Sequence, residues 1–365
     1  MAKQYNVAVV GATGAVGTKM MEHLIKRNFP INTIKFLASA RSAGKPIEFN
    51  GTAYTIEEAT PEAFEGVDVA LFSAGGSVSA ALAPEAAKRG AIVIDNTSHF
   101  RMDPEVPLVV PEVNRHVLKD IPKGIIANPN CSTIQMVAAL QPIREKFGLT
   151  KVVVSTYQAV SGSGIAAIEE LQAQSAQWEK GKDVEANVLP AKADKKHYPI
   201  ARNVIPQIDK FTDNGYTYEE MKMINETKKI MEMPALHVAA TCVRVPVVSG
   251  HSESVYIELE KEATVEDIFA ALKDAPGIVL QDDIANQVYP MPIYAEGEDP
   301  TFVGRIRRDL DNPKGFHLWI VADNLLKGAD VAVNIKWTSS NNAEVDAATG
   351  ISVVSKGKIN VTAAS

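Results

Sequence analysis

Over the first 130 residues, short apolar runs alternate with stretches whose apolar positions recur at helical spacing. Strand-like runs at 5–10, 33–38, 67–73 and 91–95 are separated by helical patterns at 19–26 and 80–89. Apolar strands that alternate with helices predict a doubly wound parallel sheet covered on both faces, an α/β architecture. Beyond Cys131 the order changes: a helical run at 134–147, a strand at 151–158, a helix at 165–180, a loop-rich stretch over 183–214 and a helix at 218–233. Strands then follow at 237–245, 253–259, 278–280, 302–308 and 316–321, with one helix at 265–273. Several strands in succession predict a mixed or antiparallel sheet, hence a second domain of α+β type. From Asp330 the apolar residues Val331, Val333, Ile335 and Trp337 alternate at period two, which predicts a strand and a β-patterned tail over 330–365.

Composition narrows the function classes. The 365 residues are 46% hydrophobic and 22% charged, as expected of a globular protein of two or three domains. Lys and Arg number 37 against 44 Asp and Glu, a net charge of −7, with no basic run to follow a phosphate backbone, so nucleic acid is excluded as an expected partner. The start leads directly into a strand without a secretory pattern, and no run of about 18 apolar residues follows, so a cytoplasmic chain without a membrane partner is expected. Cys131 and Cys242 are far apart and belong to no Cys/His cluster of zinc spacing, so neither a disulfide framework nor a metal site is expected.

After the first strand stands Gly11-Ala12-Thr13-Gly14-Ala15-Val16-Gly17, and helical spacing resumes from Lys19. Strand, glycine loop and helix follow in the order that lets backbone N–H groups and a helix N-terminus meet a pyrophosphate, which makes the first domain a Rossmann-type dinucleotide site. The spacing is Gly-x-x-Gly-x-x-Gly, and a plain glycine turn is the alternative. At the end of the second strand, where an NAD site carries an acidic residue for the ribose, stand Ser39, Arg41 and Ser42. No carboxylate repels a 2′-phosphate there and a guanidinium flanked by hydroxyls suits one, so NADP is the expected cofactor.

Cys131 lies in Asn128-Pro129-Asn130-Cys131-Ser132-Thr133, just ahead of an apolar helical run. Pro129 keeps Asn128 out of helical geometry, and the N–H groups of a helix start favour a thiolate. A small hydrophobe packed at a helix start is the competing reading, and Cys242, mid-strand in an apolar run, is expected in the core. A nicotinamide beside an activated cysteine suits oxidation of an aldehyde through a thiohemiacetal, or the reverse reduction of a thioester.

These residues resemble the aspartate-semialdehyde dehydrogenase family over about residues 5–329: the glycine loop, Asp95-Asn96-Thr97-Ser98-His99-Phe100-Arg101, Val110-Pro111-Glu112-Val113-Asn114, the Cys131 segment, Gln158-Ala159-Val160-Ser161-Gly162-Ser163-Gly164 and Asn324-Leu325-Leu326-Lys327-Gly328. The resemblance implies Cys131 as nucleophile, Gln158 as the amide that orients the intermediate, and Asn130 with the Cys131 N–H facing the oxyanion. His251, seven residues after Arg244, matches the family's spacing and is implied as general acid/base, with a free pKa near the working pH. A straight strand would part the two by roughly 23 Å, so Pro246 and Ser249-Gly250 are expected to bend the chain. Arg244 is implied as the fork for the substrate carboxylate, Glu219 as partner of the amino group, and Lys222 with Arg101 as phosphate ligands; without the family, Glu219 and Lys222 read as a solvated i,i+3 pair. Ser161, Gly162 and Asn324 join Gly11, Thr13, Gly14, Ala15, Val16, Gly17, Ser39, Arg41 and Ser42 as implied cofactor-binding residues.

The implied reaction is reduction of L-aspartyl-4-phosphate by NADPH to aspartate semialdehyde and phosphate, in the aspartate pathway of amino-acid biosynthesis, by a homodimer or homotetramer. Domains are expected at 1–130 with 324–365 for NADP, and at 131–323 for catalysis and dimerisation. The family's ending is not matched beyond Gly328-Ala329, and residues 337–364 loosely resemble part of a bacterial immunoglobulin-like module. An N-acetyl-glutamyl-phosphate reductase-like enzyme and a non-catalytic nucleotide-binding relative are the alternatives.

Overall fold

The computed structural model describes residues 3–334 and three short strands beyond them. It divides into two compact units, Met1–Pro129 with Gly328–Ser365, and Asn130–Lys327.

The first unit runs β1 (Tyr5–Val10), α1 (Ala15–Lys26), β2 (Ile31–Ala38), the hairpin β3 (Pro46–Phe49) and β4 (Thr52–Thr55), β5 (Glu57–Glu58), β6 (Val69–Phe72), α2 (Gly76–Lys88), β7 (Ile92–Asp95), α3 (Pro111–Asn114) and β8 (Ile125–Ala127). Its six-stranded sheet has the order β5-β2-β1-β6-β7-β8 with every pair parallel. The Rossmann-type expectation holds, because continuous apolar runs such as Val69–Phe72 are buried on both faces. Val7, Val9, Phe36, Leu71 and Ile94 share a core with Met20 and Leu24 of α1, whose opposite face carries the Lys19–Glu22 ion pair. The chain moves outward from β1 to β2 and β5, then returns to lay β6 beside β1. That reversal makes a topological switch point, where a crevice opens at the carboxyl ends of the strands. The β3–β4 hairpin was not anticipated; its turn, Asn50-Gly51, has both residues at positive φ (50° and 75°), as a tight two-residue turn requires.

The second unit runs α4 (Cys131–Phe147), β9 (Lys151–Gln158), α5 (Ile165–Glu179), α6 (Tyr218–Ile230), β10 (His237–Arg244), β11 (His251–Glu258), α7 (Val265–Leu272), β12 (Ile278–Leu280), α8 (Pro292–Ala295), β13 (Thr301–Arg308), β14 (Gly315–Ala322) and the start of α9 (Asn324–Asn334). The sheet order is β10-β9-β11-β14-β13-β12, with β10–β9 and β12–β13 parallel and the other pairs antiparallel, the mixed sheet expected. In β9, Val152, Val154, Thr156 and Gln158 are buried while Val153 and Tyr157 are exposed. α4 is buried without interruption from Ser132 to Gln141, as a helix packed on nearly all sides must be, and lies against α6, α7 and the central strands.

One expectation fails at the C-terminal end. Asp330 to Asn334 continue α9 rather than open a strand. The Asp323 carboxylate accepts the N–H groups of Leu325 and Leu326 at 2.9 and 3.0 Å, which caps the helix start. Extending a nucleated helix adds one backbone hydrogen bond for each residue fixed, whereas a lone strand over the same residues would gain none, so the helix continues. Thr338–Ser339, Ser352–Val354 and Lys358–Asn360 form the three-stranded sheet β15-β16-β17; the rest of the β-patterned tail lies outside the described residues. Among the described residues no helix is long and apolar enough to cross a membrane.

Candidate active site

In the first unit the glycine loop sits at the carboxyl end of β1. Gly11 donates its N–H to the Leu37 carbonyl and has φ +84°, and a Cβ on it would lie 2.8 Å from the Ser73 carbonyl carbon, so only glycine fits. α1 begins at Ala15, earlier than the spacing suggested, with Gly14 as an N-cap that has no side chain to cover the amides of Ala15, Val16 and Gly17. No acidic residue stands in that first turn. Gly11, Thr13 and Gly14 line a cleft of about 590 Å³ together with Ala38, Ser39, Arg41 and Ser42, and with Ala81 and Leu82 of α2. Uncovered amides at one wall and a guanidinium between two hydroxyls at another fit a dinucleotide carrying a 2′-phosphate. Arg101 also belongs to this unit; it is buried and donates from Nη2 to the Asn96 carbonyl at 2.9 Å.

The second unit gathers the remaining candidates. Gln158 ends β9, and the sheet register sets Arg244, the last residue of β10, directly beside it. On the other side of β9, β11 starts at His251, with Ser252 paired to Tyr157. The seven-residue spacing from Arg244 to His251 is therefore bridged by a loop that crosses the end of β9. Val160 and Ser161 donate their N–H groups to Val247 and Val248 of that loop. Three strand ends meet at one edge of the sheet. A Cβ on Gly162 would come within 3.0 Å of Arg244 Nη1 and 3.2 Å of His251 Nε2, so bare backbone packs on both.

α4 starts at Cys131 itself, with Asn130 as the N-cap residue. Cys131 is half-buried and lines a cavity of about 330 Å³ together with Asn130, Gln158, Gly162, Glu219, Lys222 and Arg244. α6 supplies the acidic side. Its start is fixed by a capping box in which Thr217 Oγ1 accepts the Glu220 N–H and the Glu220 carboxylate accepts the Thr217 N–H. Glu219 Oε1 then accepts from Asn130 Nδ2 and Gln158 Nε2, both at 2.9 Å, and Oε2 lies 3.3 Å from Lys222 Nζ. Burial alone would raise the Glu219 pKa; Lys222, the two amides and Arg244 overcome it and hold it at about 2. Glu219 is thus buried in a hydrogen-bonded cluster that holds the half-buried Lys222, rather than in a solvated pair.

Two expectations need correction here. Asn130 does not turn its amide nitrogen toward an oxyanion: one N–H engages Glu219 and the other faces the Met223 sulfur at 3.9 Å, because the buried carboxylate is the stronger acceptor. Of the two expected oxyanion donors, the Cys131 N–H remains. His251, expected to titrate near the working pH, is fully buried. Its Nδ1 accepts the Ala159 N–H at 3.0 Å, so the neutral ring carries its hydrogen on Nε2. Burial, reinforced by Arg244 and opposed by Glu219, pushes its pKa down to about 3. Protonating Nδ1 would set two hydrogens against each other in a site shielded from water.

This depression makes a stability prediction. Between the unperturbed value of 6.5 and about 3, the unfolded chain binds a proton at His251 that the folded chain does not, so folding stability falls as pH falls through that window. Relative to a His251→Asn variant, the protein is expected to lose about 3 kcal/mol more between neutral pH and pH ~4. Urea titrations of both proteins across that range check it; parallel pH dependences would refute the buried neutral imidazole.

Arg244 Nη1 donates to the Ala159 carbonyl at 2.6 Å, and its buried Nε has no partner among the described residues. Ser161 and Asn324, expected together at the cofactor, share a hydrogen bond, and Asn324 Oδ1 also accepts the Gly250 N–H at 3.0 Å. Cys242 is buried on β10, and burial pushes its thiol up. Two participants escaped the sequence reading. Asp209, a non-glycine residue at φ +68°, pairs with Lys222 at 3.2 Å, and no local pattern marks it. Glu226 accepts the Asn130 N–H at 2.7 Å; its signal was available, because Glu219, Met223 and Glu226 fall at i, i+4 and i+7 on one helix face.

Comparison with known proteins agrees with this geometry. Residues 6–121 match the family described as semialdehyde dehydrogenase, NAD binding domain, and residues 140–327 match semialdehyde dehydrogenase, dimerisation domain. The aspartate-semialdehyde dehydrogenase of Bacillus subtilis (strain 168) is 63% identical over 345 residues, which span 94% of this chain and 98% of the relative. A crystal structure of aspartate semialdehyde dehydrogenase II from Vibrio cholerae, complexed with ASA, is 46% identical with a TM-score of 0.86, over 91% of this chain and 97% of that one. The crystal structure of aspartate semialdehyde dehydrogenase with NADP from Candida albicans is 25% identical with a TM-score of 0.68, over 91% of this chain and 96% of that one. The chain belongs to the aspartate-semialdehyde dehydrogenase family.

Proposed function

We propose that this protein converts L-aspartyl-4-phosphate to L-aspartate 4-semialdehyde and phosphate with NADPH, through an acyl-enzyme on Cys131. The observation that carries the reading is the meeting of Cys131, Gln158, Arg244 and Glu219 around one cavity, with His251 at the same sheet edge. Arg244 receives the α-carboxylate on its Nε edge, since Nη1 is already held by Ala159. Glu219 receives the amino group, and Lys222, shared between Glu219 and Asp209, is the cation for the phosphate. The Cys131 thiolate attacks the acyl carbon, the C–O bond to phosphate breaks, and a thioester remains on the sulfur. Bound NADPH supplies the hydride. Collapse of the resulting thiohemiacetal alkoxide breaks the C–S bond and returns the thiolate. Starting from a thiolate, collapse of the alkoxide is proton-neutral on the enzyme, whereas the leaving phosphate takes up one proton at neutral pH. In its neutral form His251, with Nδ1 held by the Ala159 N–H, donates a hydrogen bond from Nε2 to the developing oxyanion, alongside the Cys131 N–H. Gln158, anchored to Glu219 and Thr156, orients the acyl group.

The reaction belongs to the aspartate pathway that leads to lysine, threonine and methionine, and a cytoplasmic homodimer or homotetramer is the proposed form. The decisive assay is NADP reduction with aspartate semialdehyde and phosphate, repeated with N-acetyl-glutamate semialdehyde. Turnover of the first alone supports the reading; turnover of the second alone overturns it. Cofactor choice is checked separately. Arg41→Glu reverses charge at the 2′-phosphate and is expected to weaken NADP by about 3 kcal/mol, roughly two orders of magnitude in Kd, with little effect on NAD. Equal losses for the two cofactors would refute a role for Arg41 in selecting NADP.

A further inference from the structure

The two carboxyl oxygens of Glu219 are engaged differently. Oε1 accepts from Asn130 Nδ2 and Gln158 Nε2, both at 2.9 Å, which uses the two lone pairs of a carboxylate oxygen. Oε2 is held by Lys222 Nζ at 3.3 Å. A substrate ammonium that comes to Glu219 therefore has to take Oε2, where a cation already sits. Two ammonium groups on one oxygen repel each other, so Lys222 needs a second anion. Asp209 offers one: its Oδ2 lies 3.2 Å from the same Nζ, and all three residues line the same cavity. The two carboxylates differ in setting. The Glu219 side chain is 6% exposed and that of Asp209 41%, so Glu219 depends on a cation beside it, while water can solvate Asp209 whether or not Lys222 is there.

The backbone fixes Asp209 in that place. It stands at φ +68°, a region that residues with a side chain rarely adopt and that Asp and Asn tolerate best. Its Oδ1 accepts the Lys210 N–H at 2.8 Å and its carbonyl accepts Gln207 Nε2 at 3.1 Å, which leaves Oδ2 to face Lys222. A sparsely populated conformation kept at a cavity wall points to a role for the side chain it presents.

We propose that Asp209 is the second seat of the Lys222 ammonium: when the substrate's amino group occupies Glu219 Oε2, Lys222 shifts its ion pair to Asp209 and remains available as the cation for phosphate. Asp209 is a positioning residue, and it acts through Lys222. The inference deepens the reaction proposed above and rests on its assignment of Glu219 to the amino group.

L-Aspartate and succinate, which differ in the amino group alone, test the exchange without turnover. Their dissociation constants are read from protection of Cys131 against iodoacetamide, by mass spectrometry of the Cys131 peptide, in the wild type and in Asp209→Asn. Asn keeps the tolerance for positive φ and the Oδ1 acceptor but offers Lys222 no second carboxylate. D209N is expected to weaken L-aspartate about fivefold, the scale of a partly exposed ion pair, and to leave succinate unchanged. Where the wild type prefers L-aspartate to succinate, equal weakening of both ligands in D209N, or of neither, overturns the exchange alone. A wild type without that preference overturns the assignment of Glu219 to the amino group, and the exchange falls with it. Asp209→Gly accepts φ +68° without strain and is expected to match D209N, so either variant decides if the other fails to fold. In the assay with aspartate semialdehyde and phosphate, D209N is expected to raise KM for the aldehyde about fivefold and not to raise KM for phosphate, because Lys222 has lost a competing anion. A parallel rise in both overturns the proposal.

Discussion

Cys131→Ala is expected to lower turnover by at least about five orders of magnitude, the scale seen when a covalent nucleophile is removed. Alanine fits the first turn of α4 and leaves the core intact, since Cys131 is half-buried and lines the cavity. The cleft lined by Gly11, Ser39, Arg41 and Ser42 contains no atom of Cys131, so NADPH affinity is expected to stay unchanged in a fluorescence titration. Loss of activity with intact cofactor binding separates a missing nucleophile from a damaged fold. Residual turnover above about one per cent would refute the acyl-enzyme, because without the sulfur no covalent route exists. Cys242→Ala is the control; that residue is buried on β10 and has no role in the proposed reaction.

Arg244→Leu is the second large effect. The guanidinium is buried, its charge is supported by Glu219, and its Nε has no partner among the described residues, which leaves that edge for the carboxylate in the proposed reaction. Removing one partner of a buried charge pair costs about 4 kcal/mol, roughly three orders of magnitude in kcat/KM. The loss is expected to fall on both KM for aspartate semialdehyde and kcat, since a misplaced carboxylate also misplaces the reacting carbon. Arg244→Lys is expected to recover little, because an ammonium cannot form the planar fork or keep the Ala159 contact in the same geometry. Full recovery by lysine would mean that charge, not geometry, is what the site requires.

Much of the fold was legible because its signals are local. Alternation of buried apolar strands with amphipathic helices is written in consecutive residues, and so is the order of strand, glycine loop and helix around Gly11–Gly17. Where local signals conflicted, the earlier element won: the cap at Asp323 carried α9 through Asp330–Asn334 against a strand-like alternation. The candidate site was legible only as residue types. Spacing linked Arg244 to His251, but the reason they meet is the crossing of β9 between β10 and β11, which a single chain segment does not display.

Protonation and hydrogen-bond direction were the parts misread. His251 carries the residue type of a near-neutral acid/base, yet the Ala159 N–H on Nδ1 and complete burial favour its neutral ring. Asn130 carries the residue type of an oxyanion donor, yet Glu219, 89 positions away, claims its amide. The amino-acid sequence by itself determined which backbone segments become strands and helices, where a dinucleotide loop forms, and that a cysteine opens a helix, since these depend on periodicity and on steric preferences within a few residues. Tertiary structure alone decided which polar groups share the cavity and which way each amide points. Those outcomes depend on burial and on partners brought from distant segments, and their energies exist only once water has been excluded.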